Sequence, residues 1–398
     1  MLQMGVIRPS ESAWASPVVL VPKPDGEIRF CVDYRKLNAV TRPDNYPMPR
    51  TDELLEKLGR AQFISTLDLT KGYWQVPLDG SAKERSAFTT HLGLYEFNVL
   101  PFGLRNAPDT VQRLVDGLLA ELREYAVAYL DDVAIFSDSW ADHVEHLQKV
   151  LERIREAGLT VKAKKCQIGL NRVTYLGHQV GQGTISPLQA KVDAIQKWPV
   201  PKSKKQVQSF SGLAGYYRRF VLHYSQIAAP LTDLTKKKQP NAVQWTEKCQ
   251  KLKATLMSDP VLRAPDFDKP FLVTTDASER GVGAVLMQKG PDQEFHPVVF
   301  LSKKLSERES NWSVTEKECY AIVYALEKLR PYVWGRRFHL QTDHAAPKWL
   351  HTVKETNKKL LRWSLALQDF YFDIQHISGA SNKVADVLSH ESFPESAG

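Results

Sequence analysis

The sequence contains few cysteines and no long apolar run. Its four cysteines are spread over 398 residues without a C-x-x-C pair, which argues against a zinc site and a disulfide framework and fits a reducing compartment. No stretch of roughly 18 apolar residues occurs, so we expect no membrane span. The first ten residues, MLQMGVIRPS, lack the apolar core of a signal peptide, so we expect no secretion signal.

The length and the charge indicate several domains with a local basic surface. A chain of 398 residues, 43% of them hydrophobic, can bury more than one core, and this length favours about two to four domains. Lysines and arginines number 53 against 45 aspartates and glutamates, which gives a net charge of +8. This excess permits nucleic-acid binding but does not demonstrate it.

Two adjacent aspartates lie inside an apolar stretch, VAYLDDVAIFSD. Burial of neighbouring carboxylates costs on the order of several kcal/mol unless a partner compensates. The pattern predicts a hairpin in which Asp131 and Asp132 form the tight turn. Asp68, which follows a predicted strand from Phe63 to Leu67, supplies a third carboxylate. Three carboxylates on a rigid sheet suit two Mg²⁺ ions acting on phosphate oxygens, and an exposed turn without metal is the alternative.

Residues 268–390 predict a separate α/β domain with the element order βββαβαβα. Ser313 and Glu316 form a capping box at the start of its long helix, and Glu318 lies on the apolar face of that helix. Four acids on separate elements predict a second two-metal site for phosphodiester cleavage, with solvated surface charges as the alternative. These four acids are Asp276, Glu318, Asp343 and Asp386.

The segment between the two acid sites, residues 186–265, is predicted to be mostly helical and basic. Its stretch KSKKQVQSFSGLAGYYRRF interleaves cations with aromatic residues. Such a surface would follow the phosphates of a duplex without reading its sequence, and a merely solvated face is the alternative. The cations that carry this prediction are Lys204, Lys205, Arg218 and Arg219.

Two sets of motifs resemble the Pol polyprotein of gypsy-type LTR retrotransposons in order and spacing. The first set is IRFCVDYRKLN, FISTLDLTKGYWQVPL, FNVLPFGLRNAP, YLDD and YLGHQV. The second set, TTDASERGVGAVL, TEKECYAIVYAL, LQTDHAAPKWL and HISGASNKVADVL, resembles the ribonuclease H domain of these elements.

The resemblance implies a multidomain α+β and α/β fold, in which a right-hand polymerase is followed by a ribonuclease H-like α/β domain. The implied domains are fingers and palm over 1–185, a thumb over 186–245, a connector over 246–267, a ribonuclease H domain over 268–390 and a tail over 391–398.

The resemblance also implies a role for each residue that matches a polymerase motif. Asp68, Asp131 and Asp132 match the metal-binding aspartates. Tyr73 matches the aromatic residue that excludes a ribose 2′-OH, and Lys165 matches the general acid that protonates pyrophosphate. The residues that match the nucleotide pocket are Lys23, Arg29, Leu69, Tyr73, Phe102 and Gly103. Those that match the grip on the primer end are Leu176, Gly177 and His178.

In the ribonuclease H domain, the four acids match the D-E-D-D metal set, and His376 matches a mobile histidine that assists product release. One stretch departs from the pattern: PDTVQ places Asp109 and Val111 where the family has small and aromatic residues. An acid is favoured at the start of a helix, so we expect altered packing rather than lost chemistry.

The implied activity is RNA- and DNA-directed DNA synthesis coupled to cleavage of RNA in RNA–DNA hybrids. The implied cofactors are two Mg²⁺ ions per site, with Mn²⁺ as the alternative ion. The implied partners are an RNA template, a DNA primer, the hybrid and deoxynucleoside triphosphates, without a membrane and with a homodimer left open. A longer polyprotein with protease and integrase is expected, in cytoplasmic virus-like particles or in the nucleus. The alternative function is a non-catalytic or nuclease-only relic of a transposon that binds nucleic acid.

Overall fold

The computed structural model describes residues 1–22, 28–221, 224–236, 239–243, 262–342 and 358–376. The chain divides into two compact units: the first comprises Met1–Leu176 and Val180–Gln182, and the second comprises Gly177–Gln179 and the residues from Gly183 onward. This division lies a few residues before the boundary predicted at 185, and the other predicted boundaries stay predictions. Among the described residues, no helix has the length and apolar character needed to cross a membrane.

The described part of the first unit contains five α-helices and ten strands. The helices are α1 (Arg35–Val40), α2 (Thr51–Arg60), α3 (Gly80–Arg85), α4 (Ala107–Leu118) and α5 (Trp140–Glu156). The strands are β1 (Ile7–Pro9), β2 (Ser16–Pro22), β3 (Ile28–Val32), β4 (Phe63–Asp68), β5 (Phe88–Thr90), β6 (Gly93–Phe97), β7 (Ala126–Tyr129), β8 (Asp132–Ser137), β9 (Gln167–Leu170) and β10 (Arg172–Tyr175).

Helices α4 and α5 show how local chemistry sets their ends. α5 begins where the Ser139 hydroxyl accepts a hydrogen bond from the Asp142 N–H. The sequence pattern predicts a helix from Trp140 to Ala157, and the bounds of α5 agree with it to within one residue. The sequence pattern predicts a helix from about Pro108 to Glu124, whereas α4 ends at Leu118. A single 3₁₀ turn follows, and Leu119 and Leu122 around it are buried in the core.

A four-stranded antiparallel sheet with the order β7-β8-β4-β9 carries the first set of predicted acids. Helices α4 and α5 cover it with apolar side chains, so the ends of β4 and β8 are mounted on a packed core. The core includes Leu67, Val111, Val115, Val133, Ile135, Val150 and Ile154.

A second sheet of the first unit has the order β1-β6-β5-β2-β3, in which β2 and β5 run parallel and the other neighbours run antiparallel. Val6, Phe88 and Phe97 form its small core. The Tyr34 side chain is buried beside it, and its hydroxyl donates to the Ser86 carbonyl oxygen at 2.8 Å. This sheet places β3, which bears Arg29, in the first unit.

The described part of the second unit begins with short strands and helices and continues into a larger sheet. The strand β11 (His178–Gly181) lies at the division between the units. The helices are α6 (Gln189–Gln196), α7 (Lys204–Tyr216), α8 (Tyr224–Ile227), α9 (Ala229–Leu234), α10 (Glu307–Ser310), α11 (Val314–Val333) and α12 (Lys358–Leu367). The remaining strands are β12 (Thr184–Pro187), β13 (Leu262–Arg263), β14 (Phe271–Ala277), β15 (Gly281–Lys289), β16 (Phe295–Lys304), β17 (Arg337–Thr342) and β18 (Tyr371–His376).

The larger sheet has the order β16-β15-β14-β17-β18. Its first three strands are antiparallel, whereas β17 runs parallel to both β14 and β18. The observed order agrees with the predicted βββαβαβ series and adds the short α10, while the final predicted helix lies outside the described residues. The predicted capping box of Ser313 and Glu316 is present at the start of α11, and this helix packs its apolar face on the sheet.

A buried histidine on α5 joins the two central strands of the four-stranded sheet. His143 is 1% exposed. Its Nε2 lies 2.7 Å from Ser65 Oγ on β4, and its Nδ1 lies 3.0 Å from Ser137 Oγ on β8. Burial, and then the neighbouring His146, lowers the pKa of His143. The neutral ring therefore ties together the strands that end at Asp68 and begin at Asp132.

We predict that acid weakens the fold through His143. The ring has a pKa of about 6.5 when unfolded and a lower one when folded. Its contribution is therefore complete above about pH 6.5 and is lost as the pH falls through the folded pKa. Denaturant titrations at about pH 7.5 and pH 5.5 should show a fall in the free energy of unfolding that is smaller in His143→Gln. The exposed His91→Gln should retain the wild-type fall, and an equal fall in His143→Gln would contradict the prediction.

Candidate active sites

Three aspartates lie at one edge of the four-stranded sheet. Asp68 ends β4 and is the direct cross-strand partner of Asp132, which begins β8. Asp131 lies in the intervening turn, and its carbonyl oxygen accepts a hydrogen bond from the Leu69 N–H at 3.0 Å. The antiparallel register thus brings together acids that are far apart in the sequence.

The turn between β7 and β8 differs from the prediction by one residue. Its central residues are Leu130 and Asp131, because Asp132 already pairs with Tyr129 in the β7–β8 ladder. Leu130 has a φ of +55°, the left-handed region that costs a residue other than glycine roughly 1–2 kcal/mol. A left-handed first central residue alone is the pattern of a type II′ turn, which suits tight hairpins.

The side chain of Gln112 on α4 holds this turn. Gln112 is 0% exposed. Its Oε1 accepts the Leu130 N–H at 2.7 Å, and its Nε2 donates to the Ala128 carbonyl oxygen at 3.2 Å. Sequence reasoning missed this residue, and the available signal was a glutamine on the apolar face of an amphipathic helix.

The electrostatics of the edge are those of crowded carboxylates. Burial, followed by the charges of Asp131 and Asp68, raises the pKa of Asp132 to about 6. Lys165 Nζ lies 2.8 Å from Asp68 Oδ2, and this hydrogen bond raises the pKa of Lys165. The buried Tyr175 donates its hydroxyl proton to the Asp132 carbonyl oxygen at 3.1 Å. The backbone is therefore anchored while the carboxylates repel one another.

A second residue that sequence reasoning missed is Gly72, which begins the 3₁₀ turn Gly72–Gln75. A Cβ added to Gly72 would lie 2.8 Å from the Cβ of Asp131, closer than carbon atoms in van der Waals contact. Glycine at this position therefore allows Asp131 to occupy its observed place.

Two of the residues that match the nucleotide pocket, Leu69 and Tyr73, lie beside Asp131. The rings of Tyr73 and Phe102 have centroids 4.8 Å apart, and burial followed by the Asp131 charge raises the pKa of Tyr73. Gly103 has a φ of +97°, and its carbonyl oxygen accepts a hydrogen bond from Asn38 Nδ2 at 2.8 Å. Asn38 thereby holds the loop that carries Phe102 and Gly103.

The second predicted site is described in part. Asp276 on β14 is 2% exposed, and Glu318 on α11 is 4% exposed. The N–H of Ala277 donates to Glu318 Oε1 at 3.2 Å, so the helix acid lies against the end of the strand that bears Asp276. Both acids are buried. The alternative interpretation, in which they are solvated surface charges, is therefore wrong for these two residues.

Several predicted residues lie outside the described part of the structure. Arg29 lies on β3 and His376 lies on β18, and the side chains of both lie outside the described part of the structure. The residues that fall wholly outside it are Lys23, Asp343 and Asp386.

The residues that match the primer grip lie at the division between the units. Leu176 and Gly177 have left-handed φ angles of +45° and +72°. Within the second unit, the Gly177 carbonyl oxygen accepts a hydrogen bond from the Tyr217 hydroxyl at 2.9 Å. The buried His178 packs its ring against Tyr216, Tyr217 and Phe220 at 5.2–5.5 Å between centroids.

The four cations of the basic segment differ in their surroundings. Lys205 and Arg218 are exposed. Lys204 Nζ donates to the Lys236 carbonyl oxygen at 2.8 Å, and the Arg219 guanidinium lies 5.9 Å from the centre of the Phe220 ring. Lys205 and Arg218 are thus better placed than the other two to contact a phosphate backbone.

The residues that depart from the family pattern lie on α4. Asp109 is in the first turn, where a negative charge interacts favourably with the helix dipole. Val111 is buried in the core beneath the sheet. Asp109 thus acts on the start of the helix, and Val111 acts on the packing of the core.

The donor set at the sheet edge fits a divalent metal ion. Among the described residues, no three acidic, histidine or cysteine side chains surround a common point closely enough to hold a metal, and Asp68 instead bonds Lys165. Carboxylate oxygens are nevertheless the ligands that Mg²⁺ and Mn²⁺ prefer. Burial, followed by the charges of Asp131 and Asp68, raises the pKa of Asp132, and a bound cation would compensate the charge of these carboxylates.

We predict that Gly72→Ala weakens metal binding at the sheet edge because the new methyl group displaces Asp131. The measurement is a Mn²⁺ titration followed by electron paramagnetic resonance, in a Glu318→Gln background that impairs the second site. Binding should weaken by at least about tenfold, since one ligand is misplaced. Gly80→Ala is the matched control, because its Cβ would meet nothing within 4 Å. Equal Mn²⁺ affinities in the two variants would refute the role assigned to Gly72.

Comparison with known proteins shows two family matches. Residues 21–180 match the family described as reverse transcriptase (RNA-dependent DNA polymerase). Residues 266–370 match the family described as the RNase H-like domain found in reverse transcriptase. The first range contains the three aspartates at the sheet edge, and the second contains Asp276 and Glu318. Domains of both kinds generally depend on divalent metals.

Curated relatives match along nearly the whole chain. The retrovirus-related Pol polyprotein from transposon 297 of Drosophila melanogaster is 42% identical over 99% of this chain and 38% of that protein. The transposon Tf2-3 polyprotein of Schizosaccharomyces pombe is 36% identical over 98% of this chain and 30% of that protein. The chain therefore spans less than half the length of these relatives.

Solved structures of foamy viral protease-reverse transcriptase in complex with double-stranded DNA are similar in fold. One has a TM-score of 0.84 at 25% identity and covers 94% of this chain and 67% of that one. Another has a TM-score of 0.83 at 26% identity and covers 95% of this chain and 80% of that one. Together with the family matches, these similarities show that the chain joins a reverse transcriptase domain to the RNase H-like domain found in reverse transcriptase, and that its relatives are Pol polyproteins of LTR transposons.

Proposed function

We propose that this chain synthesises DNA on RNA and DNA templates at its first site and cleaves the RNA strand of RNA–DNA hybrids at its second. The observation that carries the proposal is the meeting of Asp68, Asp131 and Asp132 at one sheet edge, inside the region that matches the reverse transcriptase family.

The first site supports phosphoryl transfer through fixed carboxylates. Two divalent ions, Mg²⁺ or Mn²⁺, held by the three aspartates and the Leu69 carbonyl, would stabilise the attacking and leaving oxygens. The hairpin holds Asp132 opposite Asp68 before substrate arrives, which spares reorganisation during the reaction. Lys165 bonds Asp68 through Nζ, and we assign it the protonation of the pyrophosphate leaving group.

The proposed substrate of this site is a deoxynucleoside triphosphate. Tyr73 and Phe102 form an aromatic wall beside Asp131, and a ring at this place excludes a ribose 2′-OH by steric clash. Gly103 brings the backbone close to the nucleotide in the proposed complex. Lys23 and Arg29 are assigned to the triphosphate, where fixed cations compensate its charge.

The proposed duplex contacts lie in the second unit and at the division between the units. Leu176, Gly177 and His178 are assigned to the primer end. The phosphates are assigned to the thumb cations, and such contacts weaken with salt and do not depend on sequence. The foamy viral proteins of similar fold were solved with double-stranded DNA, which supports this assignment. The thumb cations are Lys204, Lys205, Arg218 and Arg219.

The proposed nuclease site uses the two buried acids of the ribonuclease H-like domain. Asp276 and Glu318 lie on adjacent elements, and we assign Asp343 and Asp386 to the same metal set and His376 to product release. The RNA strand would be recognised by its 2′-OH groups and backbone shape.

The setting of the chain is also part of the proposal. Its relatives are longer polyproteins, and we propose that it works as a segment of such a polyprotein with protease and integrase. Cytoplasmic virus-like particles, with the nucleus as the alternative, and homodimer formation stay predictions.

We predict that the two activities separate by mutation. Asp132→Asn should lower primer extension with Mg²⁺ and deoxynucleotides by about 10³-fold or more, because it removes a metal-binding carboxylate, and should spare hybrid cleavage. Asp276→Asn should do the reverse. Gel assays of extension and of RNA cleavage on one hybrid substrate measure both effects. Hybrid binding without extension or cleavage by the wild type would instead indicate a non-catalytic relic.

We also predict that Tyr73 sets the choice of sugar. Tyr73→Ala should raise the efficiency of ribonucleotide incorporation relative to deoxynucleotide incorporation by at least about tenfold, because the ring that clashes with the 2′-OH is removed. Tyr73→Phe is the matched control, since it keeps the ring and loses only the hydroxyl, and it should retain wild-type selectivity. Single-nucleotide incorporation kinetics give the ratio, and unchanged discrimination in Tyr73→Ala would exclude the gate.

A further inference from the structure

A chain of hydrogen bonds connects the catalytic turn to the linker between α1 and α2. The Tyr46 hydroxyl in this linker donates to Asp116 Oδ2 at 2.7 Å. Asp116 Oδ1 accepts from Gln112 Nε2 at 2.9 Å, and Gln112 Oε1 accepts the Leu130 N–H at 2.7 Å. The chain thus runs from Tyr46 through two side chains of α4 to the residue before Asp131.

The partners of Gln112 admit one orientation of its amide. The Leu130 N–H can only donate, so it requires the amide oxygen. The Asp116 carboxylate and the Ala128 carbonyl can only accept, so they require the two amide hydrogens. All three requirements are met at once, and both amide hydrogens are used.

Asp116 is half-buried, and its second carboxylate oxygen accepts a hydrogen bond from Tyr46. The phenol hydroxyl occupies Oδ2, and this bond to Asp116 raises the pKa of Tyr46. With Oδ2 occupied, Oδ1 is directed to Gln112 on the same helix, four residues away. Tyr46 therefore limits the conformations that Asp116 can adopt.

The linker itself is attached to α4 by separate contacts. Arg113 Nη2 binds both carboxylate oxygens of Asp44 at 2.7 and 2.8 Å, and the Arg113 guanidinium lies 4.8 Å from the centre of the Tyr46 ring. The Asp44 N–H also donates to Asn106 Oδ1 at 3.1 Å. Loss of the Tyr46 hydroxyl alone would therefore leave the linker in place.

We propose that Tyr46 and Asp116 are positioning residues for DNA synthesis, which hold Gln112 so that it fixes the left-handed Leu130 and, through it, the carboxylates of Asp131 and Asp132. This inference rests on the proposed polymerase function. Neither residue touches the aspartates, and both act through the orientation of one buried amide. Their effect falls on the reaction step and not on nucleotide affinity, because the nucleotide pocket beside Tyr73 contains neither of them.

The kinetic test uses Tyr46→Phe, Asp116→Leu and Asp116→Asn in the full chain. Single-nucleotide incorporation should show a kcat lowered about three- to tenfold in Tyr46→Phe and at least as much in Asp116→Leu, with the KM for the nucleotide within about twofold of wild type. Asp116→Asn should restore kcat to within about twofold, because its oxygen accepts from Gln112 and its NH₂ donates to the Tyr46 oxygen.

Asp44→Asn is the matched control, since it weakens the linker on the Arg113 side and leaves the chain of hydrogen bonds intact. It should keep the wild-type kcat even where it lowers the melting temperature as much as Tyr46→Phe does. Cleavage of a preformed hybrid, which is assigned to the second unit, should be unchanged in every variant, and the melting temperature reports the folding of the first unit.

A spectroscopic readout separates this inference from the proposed function. The amide proton of Leu130, observed in ¹⁵N-leucine-labelled chain and assigned by its loss in Leu130→Met, should shift upfield in Tyr46→Phe and Asp116→Leu and not in Asp116→Asn or Asp44→Asn. Absence of extension by the wild type would overturn the polymerase function, whereas the shift would still show the coupling. A normal kcat with an unshifted Leu130 amide in Tyr46→Phe, or a kcat loss shared equally by Asp44→Asn, would overturn the positioning role.

Discussion

The mutual repulsion of carboxylates at the end of one β-hairpin is the constraint on which the first unit depends. Asp68 and Asp132 are opposed in the antiparallel register, and burial together with this repulsion raises the pKa of Asp132 to about 6. A slip of one residue would send these side chains to the opposite face of the sheet. The apolar core under β4 and β8 holds the two strands together, so that they do not relieve the repulsion between the carboxylates by moving apart.

Several contacts around the hairpin follow from that constraint. Gln112 holds the left-handed Leu130, Gly72 leaves room for Asp131, and His143 ties the two strands together from behind. The second unit meets the same chemical demand in another way, with Asp276 on a strand and Glu318 on a capped helix, both buried. In the proposed function, acids for phosphoryl transfer are thus mounted on two different frameworks, a β-hairpin with its neighbouring strand in the first unit and a strand with a helix in the second.

Two elements that depend on local sequence patterns were predicted correctly. The apolar flanks of YLDD predicted the hairpin, and Ser313 with Glu316 predicted the start of α11. The turn was predicted one residue too late, because alternation does not reveal that Leu130 takes a left-handed conformation. Gln112 and Gly72 escaped prediction because their roles depend on approach to Leu130 and Asp131 in three dimensions. The motifs that resemble retrotransposon Pol, and not periodicity, supplied the roles of residues such as Tyr73 and Lys165, and these stay predictions.

Anomalous diffraction from crystals of the chain soaked with Mn²⁺ tests the central claim most directly. The account predicts a manganese peak bounded by the carboxylates of Asp68, Asp131 and Asp132, with Lys165 Nζ displaced from Asp68, because the ion takes over the compensation of charge that Lys165 now supplies. Manganese peaks elsewhere, with no peak at this edge and the Lys165–Asp68 pair intact, would contradict it.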